Sequence, residues 1–275
     1  MRKAVILAAG LGTRMRKADE AARLSSEQEQ IAQTGVKALI PIPGAAGTAA
    51  RPFLDYVLGA IVDAGVDSVC LVIGPDHYQV RSYYEALPKK KLRIDFAVQA
   101  KPLGTANAVH AAETFAGNDP FLMINSDNYY PAAAVRALAA LKGNGVAAFH
   151  REAMIKGSNI EAERIQKFAA AEIDANGHMT RVHEKPSDET LAKLGGDIFL
   201  SMNCWRFGPS IFEACRRIKL SARGEYEITD AAQFVIDELH EPFTAVKVYE
   251  PVLDMSSRAD ITEVGKRLSA MKIDL

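Results

Sequence analysis

Residues 6–20 read ILAAGLGTRMRKADE: an apolar, strand-like run, then Gly10 and Gly12, then Arg14 and Arg16. A glycine-rich turn behind a first strand brings backbone N–H groups close to phosphate oxygens. Neither standard version of that turn is present. A dinucleotide fingerprint needs a third glycine three positions after Gly12, where Met15 stands, and no Gly-Lys-Ser/Thr loop follows. The rest of the chain has to say which phosphate loop this is.

Outward from the loop, strand and helix patterns alternate. KAVILA (3–8), SVCLVIG (68–74), LRIDFAVQ (92–99) and PFLMINSD (120–127) read as strands. FLDYVLGAIVDAG (53–65), a stretch near 77–86, GTANAVHAAETFAG (104–117) and PAAAVRALAALKG (131–143) read as helices between and after them. This order implies parallel βαβ units with right-handed crossovers. After about residue 145 the pattern shifts. GVAAFH, KFAAAEID, HMTRVHE and DIFLSMNCWRF read as strands with few helices between them, and DANG (174–177) suits a hairpin turn. Helices return near 208–219 and 229–240, followed by the strand FTAVKVY and a closing helix from 256. The two halves, about 1–145 and 146–275, are expected to share one sheet. Residues 18–33 are polar and rich in helix formers, which suits a solvated surface helix or a lid over the loop.

Composition narrows the function classes. A net charge of −1 over 275 residues supplies no global field for nucleic acid or an anionic membrane. No apolar run approaches the ~18 residues of a membrane-spanning helix. Cys70, Cys204 and Cys215 lack metal-type spacing and read as buried, reduced thiols of a cytoplasmic protein.

In open α/β sheets ligands gather beyond the carboxyl ends of the strands. The residues expected there are Gly10, Gly12, Thr13 and Arg14, then Lys37, then Gln99 with Gly104 and Thr105, then Asp127. Glu184, Lys185 and Asp254 stand near the far edge. Arg14 and Lys37 supply local positive charge for phosphates. Asp127 and Asp254 are able to hold Mg²⁺, with waters and phosphate oxygens completing its shell. Gln99 and the Gly104 turn offer groups suited to the edge of a nucleobase. Each residue also has a plainer reading. Asp127 or Asp254 would serve as a helix N-cap, Lys185 as a solvated charge, Gln99 as a strand-end polar residue and Glu225 as half of a surface ion pair. His110 and His183 read as structural, and Trp205 as a packing residue with ligand contact left open.

The ordered set resembles the sugar-1-phosphate nucleotidyltransferases (nucleotide-sugar pyrophosphorylases), which include glucose-1-phosphate thymidylyl- and uridylyltransferases. The matching segments are LAAGLGTRM (7–15), VKALIPI (36–42), QAKPLGTANA (99–108), Asp127 after the fourth strand, HEKP (183–186), GEYEITD (224–230) and LDMSS (253–257). The resemblance implies an α/β, three-layer Rossmann-like nucleotide-diphospho-sugar transferase fold with a mixed, mainly parallel central sheet. It also implies one catalytic domain over 1–275, with a nucleotide-binding first half and a sugar-phosphate-binding second half. The implied reaction transfers a nucleoside monophosphate from a triphosphate, UTP or dTTP by preference, to a sugar 1-phosphate with loss of pyrophosphate. Cytidylyl or guanylyl transfer to phosphocholine, heptose or mannose 1-phosphate is the alternative, as is a silent nucleotide-sugar sensor. A glycosyltransferase is disfavoured because NSDN (125–128) lacks an Asp-x-Asp pair.

By the same resemblance Arg14, Lys37 and Lys185 are catalytic, and Asp127 and Asp254 hold Mg²⁺. Ala8, Ala9, Gly10, Gly12, Thr13, Gln99, Gly104 and Thr105 bind the nucleotide, and Asn125, Glu184, Ser201, Asn203 and Glu225 the sugar. The implied partners are the two small substrates, with no nucleic acid or membrane and with room for a homo-oligomer. Since the chain ends soon after its last motif, no appended acetyltransferase or β-helical domain is expected. Four features depart from the family pattern: Ala169 at a usual glycine, Ser201-Met202-Asn203 for Asn-Ala-Gly, Ser256-Ser257 for Gly-Thr, and a longer loop between Arg14 and Lys37.

Overall fold

The computed structural model describes residues 1–19, 21–44, 49–88 and 91–275. Its main sheet has nine strands: β1 (Lys3–Leu7), β2 (Ser68–Ile73), β3 (Arg93–Val98), β4 (Phe121–Asn125), β5 (Asn144–His150), β6 (Ala169–Ile173), β7 (His178–His183), β8 (Phe199–Phe207) and β9 (Phe243–Val248). Their spatial order is β3-β2-β1-β4-β8-β5-β9-β7-β6. The first four are mutually parallel, and β8 enters antiparallel between β4 and β5. Strand β6 also pairs with β8, so β8, β5, β9, β7 and β6 form a closed ring.

Alternation along the strands creates two cores. Ala4, Ile6, Val69 and Leu71 join one apolar cluster, whereas Val5, Cys70 and Val72 join the other. Helices Phe53–Asp63, Tyr78–Ala86, Ala132–Ala140 and Arg258–Leu268 cover the first face. Helices Thr105–Ala111, Ser210–Arg217 and Ile228–Asp237 cover the second. The result is the expected three-layer α/β sandwich with a mixed sheet. No helix among the described residues is long and apolar enough to cross a membrane.

Several boundaries differ from the sequence reading. The helix expected over 104–117 breaks at Ala112 into Thr105–Ala111 and Glu113–Ala116. The second half contains short helices at Arg151–Gly157, Ala162–Ile165 and Asp188–Leu194. Segments of seven residues or fewer are too short to show a helical period.

The polar insertion forms a helix only over Ser26–Thr34, because Ser25 and Gln28 make a reciprocal capping box there. Residue 20 of that insertion lies outside the described residues. The helix is anchored rather than merely solvated. Gln28 donates to the Pro41 carbonyl at 2.9 Å, and the buried Arg258 guanidinium bonds both Glu29 and the Met15 carbonyl. Arg258→Ala removes the buried bond to Met15, worth about 1 kcal/mol, or about 2–4 °C in Tm for a chain of this size. Limited proteolysis of that variant is expected to cut within 18–34 faster than in the parent; identical digestion would show that Arg258 does not secure the insertion.

Candidate active site

The carboxyl ends of β1, β2, β3 and β4 open into one cavity of about 390 Å³. Behind β1 the chain turns through Ala8, Ala9 and Gly10 to Gly12, with the Ala8 N–H tied to the Val72 carbonyl at 2.8 Å. The two glycines serve different ends. Gly12 has φ +62°, and a Cβ there would lie 2.0 Å from the Gly35 carbonyl oxygen, at the end of the insertion helix. Gly10 has nothing within 4 Å of where a Cβ would project. The insertion thus clamps the loop at Gly12, and the loop leaves room at Gly10 for a ligand.

The β3 side is built around Gln99, which is buried. Its Nε2 donates to the Gly104 carbonyl at 2.9 Å and to Asn107 Oδ1 at 3.0 Å. Both amide protons are therefore used within the protein, and Oε1 is the atom left to accept from a ligand. Gly104 takes φ +112°, and a Cβ there would meet the Tyr226 backbone at 2.5 Å. The segment 224–230 is zipped to this turn. Tyr226 N–H donates to Leu103, Ala106 N–H to Tyr226, and Ile228 N–H to Thr105 Oγ1 at 2.8 Å. Thr105 therefore starts helix Ile228–Asp237 as well as lining the cavity.

Lys37 reaches across to form an ion pair with Asp127 behind β4. Asp254 lies beside them because the short strands Asn128–Tyr129 and Leu253–Asp254 pair antiparallel, placing Asp254 opposite Asn128. Asp254 is buried; it accepts from Asn128 Nδ2 at 3.0 Å and is ion-paired with Arg164 at 2.7 Å. Burial, and then the negative charge of Asp127, push its carboxyl above the usual range. Neither aspartate caps a helix: the helix after Asp127 is preceded by Pro131 with no side-chain cap, and the final helix is capped by Ser257 with Asp260. Two oxygen-donor carboxylates close enough to repel each other suit a hard divalent cation that completes its shell with water and phosphate. No cluster of three or more metal-ligating side chains occurs among the described residues.

The cavity unites most of the residues expected at the nucleotide end: Ala8, Ala9, Gly10, Gly12, Thr13, Lys37, Gln99, Gly104 and Thr105, with Asn125, Asp127 and Glu225. Arg14, Glu184, Lys185, Ser201, Asn203 and Asp254 do not line it. Arg14 is exposed. Lys185 follows β7 with φ +46°. Glu184 receives the Thr229 hydroxyl at 3.4 Å, and burial pushes its carboxyl up. Glu225 makes the expected ion pair, with Arg223 at 3.4 Å, and also lines the cavity. Ser201 and Asn203 flank a bulge in β8, where Asn203 takes φ +55°. Trp205 is fully buried, and His110 and His183 pair with Glu113 and Glu172 away from the cavity.

Three residues escaped the sequence reading. His77 lines the cavity behind β2, its Nδ1 3.0 Å from the Ala8 carbonyl; the carboxyl-end rule applied to β2 reaches it. Arg223 faces Glu184, Glu225 and Glu227 within 3.7 Å. Arg164, on Asp254, lies in a connection without a motif. The glycine contrast is directly testable. Gly12→Ala is expected to lower both Tm and the affinity of a phosphate ligand at the loop, whereas Gly10→Ala should leave Tm unchanged and weaken such a ligand about tenfold or more through overlap with it. Equal effects on both properties in the two variants would refute this division.

Comparison with known proteins agrees with this geometry. The family model described as Nucleotidyl transferase matches residues 30–248. The low-salt glycan biosynthesis nucleotidyltransferase Agl11 of Haloferax volcanii is 28% identical over 243 residues, covering 86% of this chain and 57% of that protein. A glucose-1-phosphate thymidylyltransferase of Streptomyces griseus is 31% identical over 235 residues, with the same coverage of 86% and 57%. The chain thus spans little more than half the length of these relatives. A crystal structure of UDP-glucose pyrophosphorylase complexed with UDP-glucose superposes with a TM-score of 0.73 at 18% identity, covering 97% of this chain and 98% of that one, which establishes the shared fold. The chain belongs to the nucleotidyl transferase family.

Proposed function

We propose that this protein transfers a nucleoside monophosphate from UTP or dTTP to a sugar 1-phosphate, releasing pyrophosphate. The observation that carries the reading is the single cavity joining an open glycine loop, a lysine–aspartate pair and a free amide acceptor. On this reading the first half of the chain holds the triphosphate and the second half presents the acceptor.

Backbone groups around Gly10 receive the triphosphate, and Lys37 and the exposed Arg14 stabilise charge on the departing pyrophosphate. Gln99 Oε1 accepts the N3–H of uracil or thymine; the bare N3 of cytosine offers it no proton. Lys185 holds the acceptor's phosphate, while Glu184, Glu225 and the β8 bulge at Ser201 and Asn203 face its hydroxyls. Little covalent chemistry is asked of the protein: an acceptor phosphate oxygen attacks the α-phosphorus as the pyrophosphate oxygen leaves in line. Asp127 and Asp254 would hold Mg²⁺, which supplies charge neutralisation to both phosphates when bound. The relatives' names support the sugar-phosphate class. Cys70 and Cys204 are buried as expected and Cys215 is half-buried; desolvation pushes the Cys70 and Cys215 thiols up to about 12, and the three free thiols fit the proposed cytoplasmic setting.

A pyrophosphate-release screen of four triphosphates against a panel of sugar 1-phosphates and phosphocholine tests the proposal. Release with UTP or dTTP and a hexose 1-phosphate is expected; release confined to CTP and phosphocholine would select the alternative acceptor, and no turnover with any pair would favour a sensor. Asp127→Asn should cut turnover by about a thousandfold or more while leaving the cooperative unfolding transition in place. Near-parental turnover in that variant would remove Asp127 from the metal site.

A further inference from the structure

In the structure the Asp254 carboxylate already carries a protein counter-cation, Arg164. Its Oδ1 is taken by Asn128 and its Oδ2 by Arg164, while the Ser256 hydroxyl also supports the ionised form. The backbone on either side is fixed as well: Asn159 Nδ2 donates to the Asp254 carbonyl at 2.8 Å, and its Oδ1 accepts the Asp254 N–H at 2.9 Å. Each oxygen keeps a second lone pair, but a divalent ion bound there would meet the Arg164 charge directly, and that repulsion favours release of the arginine.

The donors differ in freedom. Asn128 is 3% exposed, sits in the short strand opposite Asp254, and bonds Asn125 and the Tyr130 hydroxyl. Ser256 is 2% exposed. The Arg164 side chain is 30% exposed and hangs from the four-residue helix Ala162–Ile165 in the connection between β5 and β6. That connection runs directly into β6, whose Ala169 pairs with Ser201 on the acceptor side of the fold. Lys37 stands in a parallel position on Asp127, next to the glycine loop. Two monovalent cations, one from each half of the chain, thus cover the two carboxylates.

We infer that Arg164 is an exchangeable counter-cation, which covers Asp254 until the carboxylate takes a divalent ion and then moves to the phosphate of the acceptor. Arginine suits this exchange because its planar fork binds carboxylate and phosphate with the same geometry. The inference rests on the proposed function, since it takes Asp127 and Asp254 as the metal site.

Mn²⁺ binding to the full chain without substrates, followed by electron paramagnetic resonance of the free ion, separates the possibilities. Arg164→Gln is expected to bind Mn²⁺ about tenfold more tightly than the parent, because a competing positive charge has been removed. Arg164→Lys should fall near the parent, which keeps the test decisive if the glutamine variant does not fold. In steady-state assays Arg164→Gln should also raise KM for the sugar 1-phosphate about tenfold and leave KM for the triphosphate within about twofold. A residue with only a structural role would not tighten metal binding. Unchanged or weaker Mn²⁺ affinity in Arg164→Gln, with Asp127→Asn abolishing binding, overturns the inference and leaves the proposed function standing. Mn²⁺ affinity unaffected by Asp127→Asn overturns the metal site itself, and this inference with it.

Discussion

Two carboxylates held side by side, one of them buried, impose the strongest constraint on this molecule. The carboxyl of the buried Asp254 is pushed up by desolvation and by the charge of Asp127 beside it, so neighbouring positive charge is what favours its ionised form. The fold meets that demand from separate parts of the chain. Lys37 arrives on the turn after the insertion, Arg164 on the connection to β6, and Asn128 on the short strand paired with Asp254. Charge and topology are therefore one problem: the chain must bring residues near 37, 127, 164 and 254 to one point. Breaking one partner of such an arrangement costs more than the pair contributes, because the other charge is left buried.

The opposite wall of the cavity is held by backbone geometry. The turn at Gly104 can approach Tyr226 as closely as it does only without a side chain, and Thr105 then provides the first acceptor of helix Ile228–Asp237. The segment GEYEITD (224–230) thus supports the Gly104 turn from behind while its Glu225 reaches the cavity. One element of the second half braces the turn that Gln99 also bonds. The same economy appears at Gly12, where the insertion helix ends against the loop.

Much of this was legible because it is local. Buried parallel strands announce themselves as apolar runs, and β1, β2 and β4 stand where those runs lie, while the edge strand β3, with no fully buried residue, shows the weaker alternating pattern. The carboxyl-end rule collects Gly10, Lys37, Gln99 and Asp127 from the sequence, and the cavity contains them. What stayed hidden depends on contacts across long sequence separations. The pairing of β6 with β8 leaves no trace in periodicity, since both strands carry ordinary patterns. Arg164 sits ninety positions from Asp254 in a segment whose helices are too short to register. Arg223 reads as one more surface charge until three carboxylates converge on it.

The departures at β8 form a single physical unit. Where the family pattern has glycine, Asn203 takes φ +55°, a region that asparagine enters more readily than other non-glycine residues. Its Oδ1 lies 3.4 Å from the indole N–H of Trp205, which is fully buried and stacks on Phe207. A buried indole needs an acceptor, and leaving its N–H unpaired would carry a desolvation penalty of about 1–3 kcal/mol. Asparagine at 203 meets both requirements at once: it keeps the left-handed backbone of the bulge and gives the buried Trp205 indole its acceptor. Tyr130 fixes the other side of the bulge by donating to the Met202 carbonyl at 2.7 Å. Strand β8 therefore keeps a left-handed backbone conformation at Asn203 while presenting a side chain there that a glycine would lack.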